Sequence, residues 1–141
     1  MRKENESHEE GVLLGGRDLI IGDEHIDPEY GHLGHEGYPF VFSDERIRVM
    51  AERGINVRDL EEQWGLRAVV REMELKYKAP VFQGDVVSLQ TRLNPSAASL
   101  TFMHSMHSGE ILNATERIQY VMTDLQNKPT RIPSELLLRL R

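Results

Sequence analysis

Beyond its midpoint the chain changes the spacing of its apolar residues from about 3.6 to 2. Across Val69–Lys78, residues Val69, Met73, Leu75 and Tyr77 point one way, and Glu72, Glu74, Lys76 and Lys78 the other. That alternation predicts a half-buried strand. Ala79, Pro80 and Gly84 interrupt it. Val87, Leu89, Thr91 and Leu93 then alternate with Ser88, Gln90 and Arg92. Asn94-Pro95-Ser96 forms a turn, and Leu100, Phe102, His104 and Met106 line one face of the next strand. After the tight-turn pair Ser108-Gly109, Leu112, Ala114, Ile118, Tyr120 and Met122 line a long last strand whose apolar face Glu116 interrupts. Short turns between successive strands imply antiparallel neighbours.

The first half reads differently. Residues 1–12 form a polar tail, and 13–141 a single domain. A strand is expected over Arg17–Ile26, centred on Leu19, Ile20 and Ile21. A loop with Asp27, Pro28, Gly31, Gly34 and Gly37 follows. Pro39 suits a first helical position, and Phe40, Ile47, Met50 and Ala51 mark an apolar helix face. Gly54 is a stop signal. Asn56 caps a short helix over Val57–Trp64 that ends at Gly65, with Trp64 as a packing residue. Pro133 and Ser134 open a C-terminal helix carrying Leu136, Leu137 and Leu140. The expected class is α+β: one main helix on an antiparallel sheet.

Composition narrows the function. Seventeen Lys and Arg against 23 Asp and Glu leave a net charge of -6, which opposes general nucleic-acid binding. With no cysteine, thiol nucleophiles, disulfides and Cys-ligated metals are excluded. No apolar run approaches the roughly 20 residues of a membrane helix. The N-terminus has no apolar stretch of a secretory signal. A cytoplasmic protein with no membrane partner is the expectation.

Asp27-Pro28 at the end of the first expected strand, Gly31-His32-Leu33, Tyr38 at the helix opening and Arg46 within the helix stand in a definite order. Tyr77-Lys78-Ala79-Pro80 with Gly84-Asp85, and Asp124…Lys128-Pro129…Ile132-Pro133, extend it. Together these segments resemble the 4-hydroxybenzoyl-CoA thioesterase family over residues 17–141. Asp27 stands one residue further from Gly31 than is usual in that family. The resemblance implies a hotdog fold, a curved antiparallel sheet wrapped around one long central helix. It implies acyl-CoA hydrolysis without metal or other cofactor, in a homodimer or homotetramer with its site at a subunit interface. The acyl carrier is CoA or an acyl-carrier protein.

Thioester hydrolysis needs an attacking group and donors for the developing oxyanion. The resemblance assigns Asp27 as nucleophile or general base. It places the oxyanion donor at the backbone N–H near His35, where a helix N-terminus supplies free donors. His32, Gly34, Gly37, Tyr38 and Lys78 are the expected substrate-binding residues. Lys76, Lys78, Arg92, Lys128 and Arg131 are candidate cations for an anionic ligand.

Other residues read more plainly. Arg46 is expected in a structural salt bridge, Asp44 on a solvated face, and His104 as a core or interface histidine. His25, Asp27, His32 and His35 lie close in sequence, but their spacing matches no metal motif. Two rival functions keep the fold. An enoyl-CoA hydratase would use Asp27 and His32 on water. A non-catalytic acyl-CoA or acyl-carrier-protein binder would have the fold and pocket but no competent carboxylate, and the retained Asp27 argues against it.

Overall fold

The computed structural model describes residues 11–140. Five strands form one antiparallel sheet in the order β1-β3-β4-β5-β2. They are β1 (Val12–Ile20), β2 (Arg67–Tyr77), β3 (Val86–Pro95), β4 (Ser99–Ser108) and β5 (Ile111–Thr123). The helix α1 (Gly37–Glu52, 16 residues) lies on one face, and a short α2 (Ser134–Arg139) closes one end. The α+β class and the antiparallel run of strands follow the sequence reading.

Five local expectations are corrected. The first strand covers Val12–Ile20 and not Arg17–Ile26. Its early half was hidden by Gly15 and Gly16, which pair with Thr91 and Gln90 around a register shift. Its expected end instead turns, with His25 at φ 63°. The main helix begins at Gly37, two residues before Pro39, whose missing N–H still falls in the first turn. The segment Val57–Trp64 is a 3-10 turn (Val57–Asp59) followed by a single π turn (Leu60–Trp64). It keeps the predicted signals: the Asn56 side chain accepts from Arg58 N–H, and Gly65 takes φ 62°.

The fourth correction concerns which side of α1 is buried. Phe40 and Ile47 are exposed, and the inward face is Tyr38, Phe42, Glu45, Val49 and Met50. Apolar spacing missed this face because a glutamate sits in its middle. Glu45 has no exposed surface; it accepts from Arg17 Nε at 2.7 Å and from Arg48 Nη2 at 2.6 Å. Burial pushes its carboxyl up, but the bonds and charges of the two guanidinium groups outweigh this and leave it below the usual glutamate value. The glutamate therefore ties helix to β1.

The fifth correction concerns β2. Val69, Met73 and Tyr77 are 47%, 46% and 51% exposed, so the strand is not half-buried. It is the outermost strand beside β5, and only Arg67 at its start and Leu75 and Lys76 near its end are partly covered.

The inward face of the sheet is built in rungs. Leu89, Met106 and Ala114 pair across β3, β4 and β5 and pack with Phe42 and Leu33 under the start of α1. Leu93, Phe102 and Ile118 form a parallel rung under its C-terminal half, with Val49 and Met50. Between these rungs lies a polar one: Thr91 pairs with His104, and His104 with Glu116. Thus Glu116, which broke the apolar pattern of its strand, is buried at 1% exposure beside an equally buried His104. The His104 ring lies between Phe42 (centroids 5.2 Å) and Phe102 (6.2 Å), one from each apolar cluster.

Candidate active site

The loop between β1 and α1 folds back on itself. Asp27 N–H donates to His32 O (2.7 Å), and Gly31 N–H to Asp27 O (2.8 Å). Ile26 bridges Leu33, and Leu33 N–H donates to Val81 O, so the loop is laced to the segment between β2 and β3. Gly31 sits at φ 76°, a backbone that glycine adopts without a Cβ clash.

Gly34 and Gly37 then turn the chain into α1, with Gly37 N–H donating to Gly34 O at 2.9 Å. A Cβ on Gly37 would meet Leu33 Cδ1 at 2.6 Å and His25 Cβ at 2.8 Å, so the turn needs the small residue. Gly34 N–H is used by His25 O. Among the described residues, the N–H groups of His35 and Glu36 have no hydrogen-bond acceptor. They stand at the positive end of the helix dipole.

Beside this helix start is a recess of about 340 Å³ lined by His32, His35, Tyr38, Tyr77 and Lys78, with Pro80 at its edge. The structure thereby brings together four of the residues expected from sequence: His32, His35, Tyr38 and Lys78. Gly34 and Gly37 are buried in the turn behind them. Asp27 is outside this lining. Its Oδ1 accepts from Glu29 N–H at 2.8 Å and more weakly from Tyr30 N–H at 3.4 Å, the pattern of an Asx turn. A single strand-like bridge still ties its backbone to His32.

Tyr77 is the residue of the recess that sequence reading misplaced, as one of a buried apolar face. Its Oη donates to His35 O at 3.0 Å, and its ring meets Tyr38 edge-on at 5.2 Å. Burial raises the Tyr38 phenol above its usual value. Tyr77 is raised by burial and, less, by the charges of Glu116 and Glu36. Both phenols are therefore neutral hydrogen-bonding groups at pH 7.

Two of the three loop imidazoles are engaged in ring contacts, and that of His35 lies 3.3 Å from Glu36 Oε2. His25 stacks on Phe40 at 4.5 Å, and His32 stacks on Tyr30 and meets Phe82 edge-on. Among the described residues no group of three or more His, Asp or Glu is placed to hold a metal ion. The candidate cations do not gather: Lys76 and Lys78 lie at the end of β2, Arg92 reaches Gly11 O, and Lys128 and Arg131 are exposed beyond β5.

A second, larger cavity of about 550 Å³ opens under the middle of α1, walled by Ile47, Met50, Leu60 and Met122 and reached beside the start of β2. Arg46 enters it from the helix. The expected structural salt bridge is present: Arg46 Nη1 donates to Glu116 Oε1 at 2.9 Å. Asp44 is exposed, as expected. No pattern in the sequence marked the cavity, because its walls come from five separate segments.

Comparison with known proteins is consistent with this geometry. The model of the thioesterase-like superfamily matches residues 21–140. Among curated protein sequences nothing matches the chain. A probable thioesterase from Bartonella henselae superposes with TM-score 0.75 at 21% identity, covering 86% of this chain and all (100%) of that one. A 1,4-dihydroxy-2-naphthoyl-CoA thioesterase from Synechocystis gives 0.80 at 12% identity, over 89% of this chain and 93% of that one. A protein from Staphylococcus aureus in complex with CoA gives 0.79 at 16% identity, over 92% and 82%. At these identities the likeness is one of fold. Among the described residues no helix is long and apolar enough to cross a membrane. The match over residues 21–140 carries the conclusion that the chain belongs to the thioesterase-like superfamily and is a thioester hydrolase.

Proposed function

We propose that the protein hydrolyses acyl-CoA thioesters in the manner of the 4-hydroxybenzoyl-CoA thioesterase family, with α1 as the helix that a hotdog sheet wraps. The observation that carries this reading is the pair of unspent N–H groups at His35 and Glu36, at a helix start beside the recess. Donors fixed in advance there stabilise the oxyanion that forms when the thioester carbonyl is attacked. Asp27 supplies the carboxylate, as nucleophile or as base for water, once substrate competes with its turn N–H groups. The reaction runs on protein groups and water, with no cofactor. Lys78, His32 and Tyr38 hold the ligand, and the related protein with bound CoA supports that carrier.

The working unit we propose is a homo-oligomer built on β2. Eleven residues long, β2 leaves one edge open and exposes Val69, Val70, Met73 and Tyr77. Such an edge is a template for pairing with another strand. Antiparallel self-pairing brings the start of one copy's β2, beside the large cavity, against the end of the other's, beside the recess. The two hollows then share one groove. A cytoplasmic location fits the acyl-CoA substrate.

The test is thiol release from a panel of aromatic and aliphatic acyl-CoAs by parent and Asp27→Ala. Release by the parent, lost by at least about a hundredfold in a folded variant, supports the reading. Equal activity in both removes Asp27 from the mechanism. No release by the parent, with enoyl-CoA hydrated instead, replaces hydrolysis by hydration.

A further inference from the structure

The cavity under α1 is walled mainly by apolar side chains, with Ser43, Arg58, Glu61, Arg67 and Tyr120 also lining it, and of its three guanidinium groups that of Arg46 is the most buried. Arg46 side-chain exposure is 12%, and its charge lies over the rings of Phe102 (6.0 Å) and Tyr120 (5.6 Å). Both hydrogens of its Nη1 are committed, one to Glu116 Oε1 at 2.9 Å and one to His104 Nε2 at 3.2 Å. His104 is deeply buried, which with the charge of Arg46 drives its pKa well below the ordinary value. It is therefore neutral, accepts at Nε2, and donates from Nδ1 to Thr91 Oγ1 at 2.9 Å. The chain of bonds from Thr91 to Glu116 holds Nη1 in one position.

The other side of the fork is free. Among the described residues, Nη2 and Nε of Arg46 make no hydrogen bond, and the sole buried, unpaired side-chain polar atom is Asn113 Oδ1. Those two nitrogens are therefore open to the cavity that Arg46 lines. Water in the open cavity can reach these three N–H donors, and a ligand oxygen placed there takes the place of that water. The charge is already balanced: Glu116 faces Arg46 from β5, and neutral His104 faces it from β4. A neutral oxygen at Arg46 fits this balance, whereas a carboxylate there would place a second negative charge beside the one that Glu116 already supplies.

We infer that Arg46 is a specificity-determining residue: the cavity takes the acyl group, and the Arg46 fork reads a neutral oxygen, hydroxyl or carbonyl, on an otherwise apolar acyl body. This rests on the acyl-CoA reading above and adds the substrate class. A site built to hydrogen-bond such an oxygen discriminates strongly against the analogue lacking it.

The experiment compares matched thioesters with and without the oxygen: 4-hydroxyphenylacetyl-CoA with phenylacetyl-CoA, and 8-hydroxyoctanoyl-CoA with octanoyl-CoA. Glutaryl-CoA serves as the carboxylate arm. For the parent, kcat/KM for at least one oxygen-bearing member exceeds its partner by about tenfold or more, with glutaryl-CoA poor. Arg46→Lys keeps the charge and loses the fork, and Arg46→Gln with Glu116→Gln leaves no buried charge unpaired. In folded protein each brings the ratio to within about threefold of one. A parent ratio near one, a preference for glutaryl-CoA, or a ratio unchanged in both variants overturns the inference. Binding of the non-hydrolysable thioether analogues is measured alongside by calorimetry. Discrimination in binding without thiol release leaves this inference standing and removes the hydrolase reading. Hydrolysis without discrimination does the reverse. Neither binding nor hydrolysis of any member overturns both.

Discussion

Tyr77 Oη donates to the carbonyl oxygen of His35 at 3.0 Å, tying the end of the outer strand to the loop that starts α1. The same loop carries the N–H groups proposed to meet the oxyanion. Replacing Tyr77 by Phe removes the bond and keeps the ring against Tyr38. One hydrogen bond is worth about 1 kcal/mol, or about fivefold. The expected outcome is a fall of that order in kcat with a change of less than about 1 kcal/mol in urea unfolding. An unchanged kcat would separate the loop anchor from catalysis.

Gly37→Ala tests the turn itself. The new Cβ falls 2.6 Å from Leu33 Cδ1 and 2.8 Å from His25 Cβ, and Leu33 is buried and has no room to swing. A loss of about 1–3 kcal/mol is expected. Gly34→Ala, whose Cβ meets its nearest neighbours at 3.2 Å, should cost less. Thermal unfolding of the two variants gives the order.

Glu45→Gln keeps the shape of the buried carboxylate but not its charge toward Arg17 and Arg48. The folded-state pKa of Glu45 is lowered, so its contribution is present above the unfolded value near 4.5 and lost as pH falls through the folded value. The parent should exceed the variant by about 1–3 kcal/mol at pH 7. The gap should narrow in acid. A gap constant down to pH 3 would deny the ion pairs their role.

His104 gives a second pH signature, in a different window. Its folded-state pKa lies well below 6.5, by burial first and the Arg46 charge second, so the unfolded chain binds a proton that the folded one refuses. Stability contributed by neutral His104 is complete above about pH 6.5 and declines below it, by at most about 1.4 kcal/mol per pH unit. Glu116, raised mainly by burial and opposed by Arg46, acts in the other sense: its part falls as pH rises above 4.5. Comparing His104→Gln with the parent isolates the histidine. Between pH 6.5 and 5 the parent should lose the more stability in chemical denaturation.

The features readable in the sequence were those set by neighbours along the chain. Alternation in Val87–Leu93 and Leu100–Met106 marks strands because successive side chains face opposite sides whatever lies beyond them. The Asn56 cap, the Gly65 stop and the Gly34–Gly37 turn are local for the same reason. His32, His35, Tyr38 and Lys78 could be named together because they lie in two short segments that the family pattern links. Burial was not local. Tyr77 and Met73 alternate correctly, yet no element covers the outer strand, so both are exposed.

The sequence by itself determined the α+β class, the strand order along the chain and the loop that prepares the helix start, since each follows from period, turn residues and glycine placement. Only the tertiary structure decided that Glu45 faces inward, that Tyr77 holds His35, and that Thr91, His104 and Glu116 share one rung beneath Arg46. The physical reason is register. These residues stand far apart in the chain, and strand pairing and helix rotation, chosen by the packing of the whole core, bring their polar atoms within hydrogen-bonding distance.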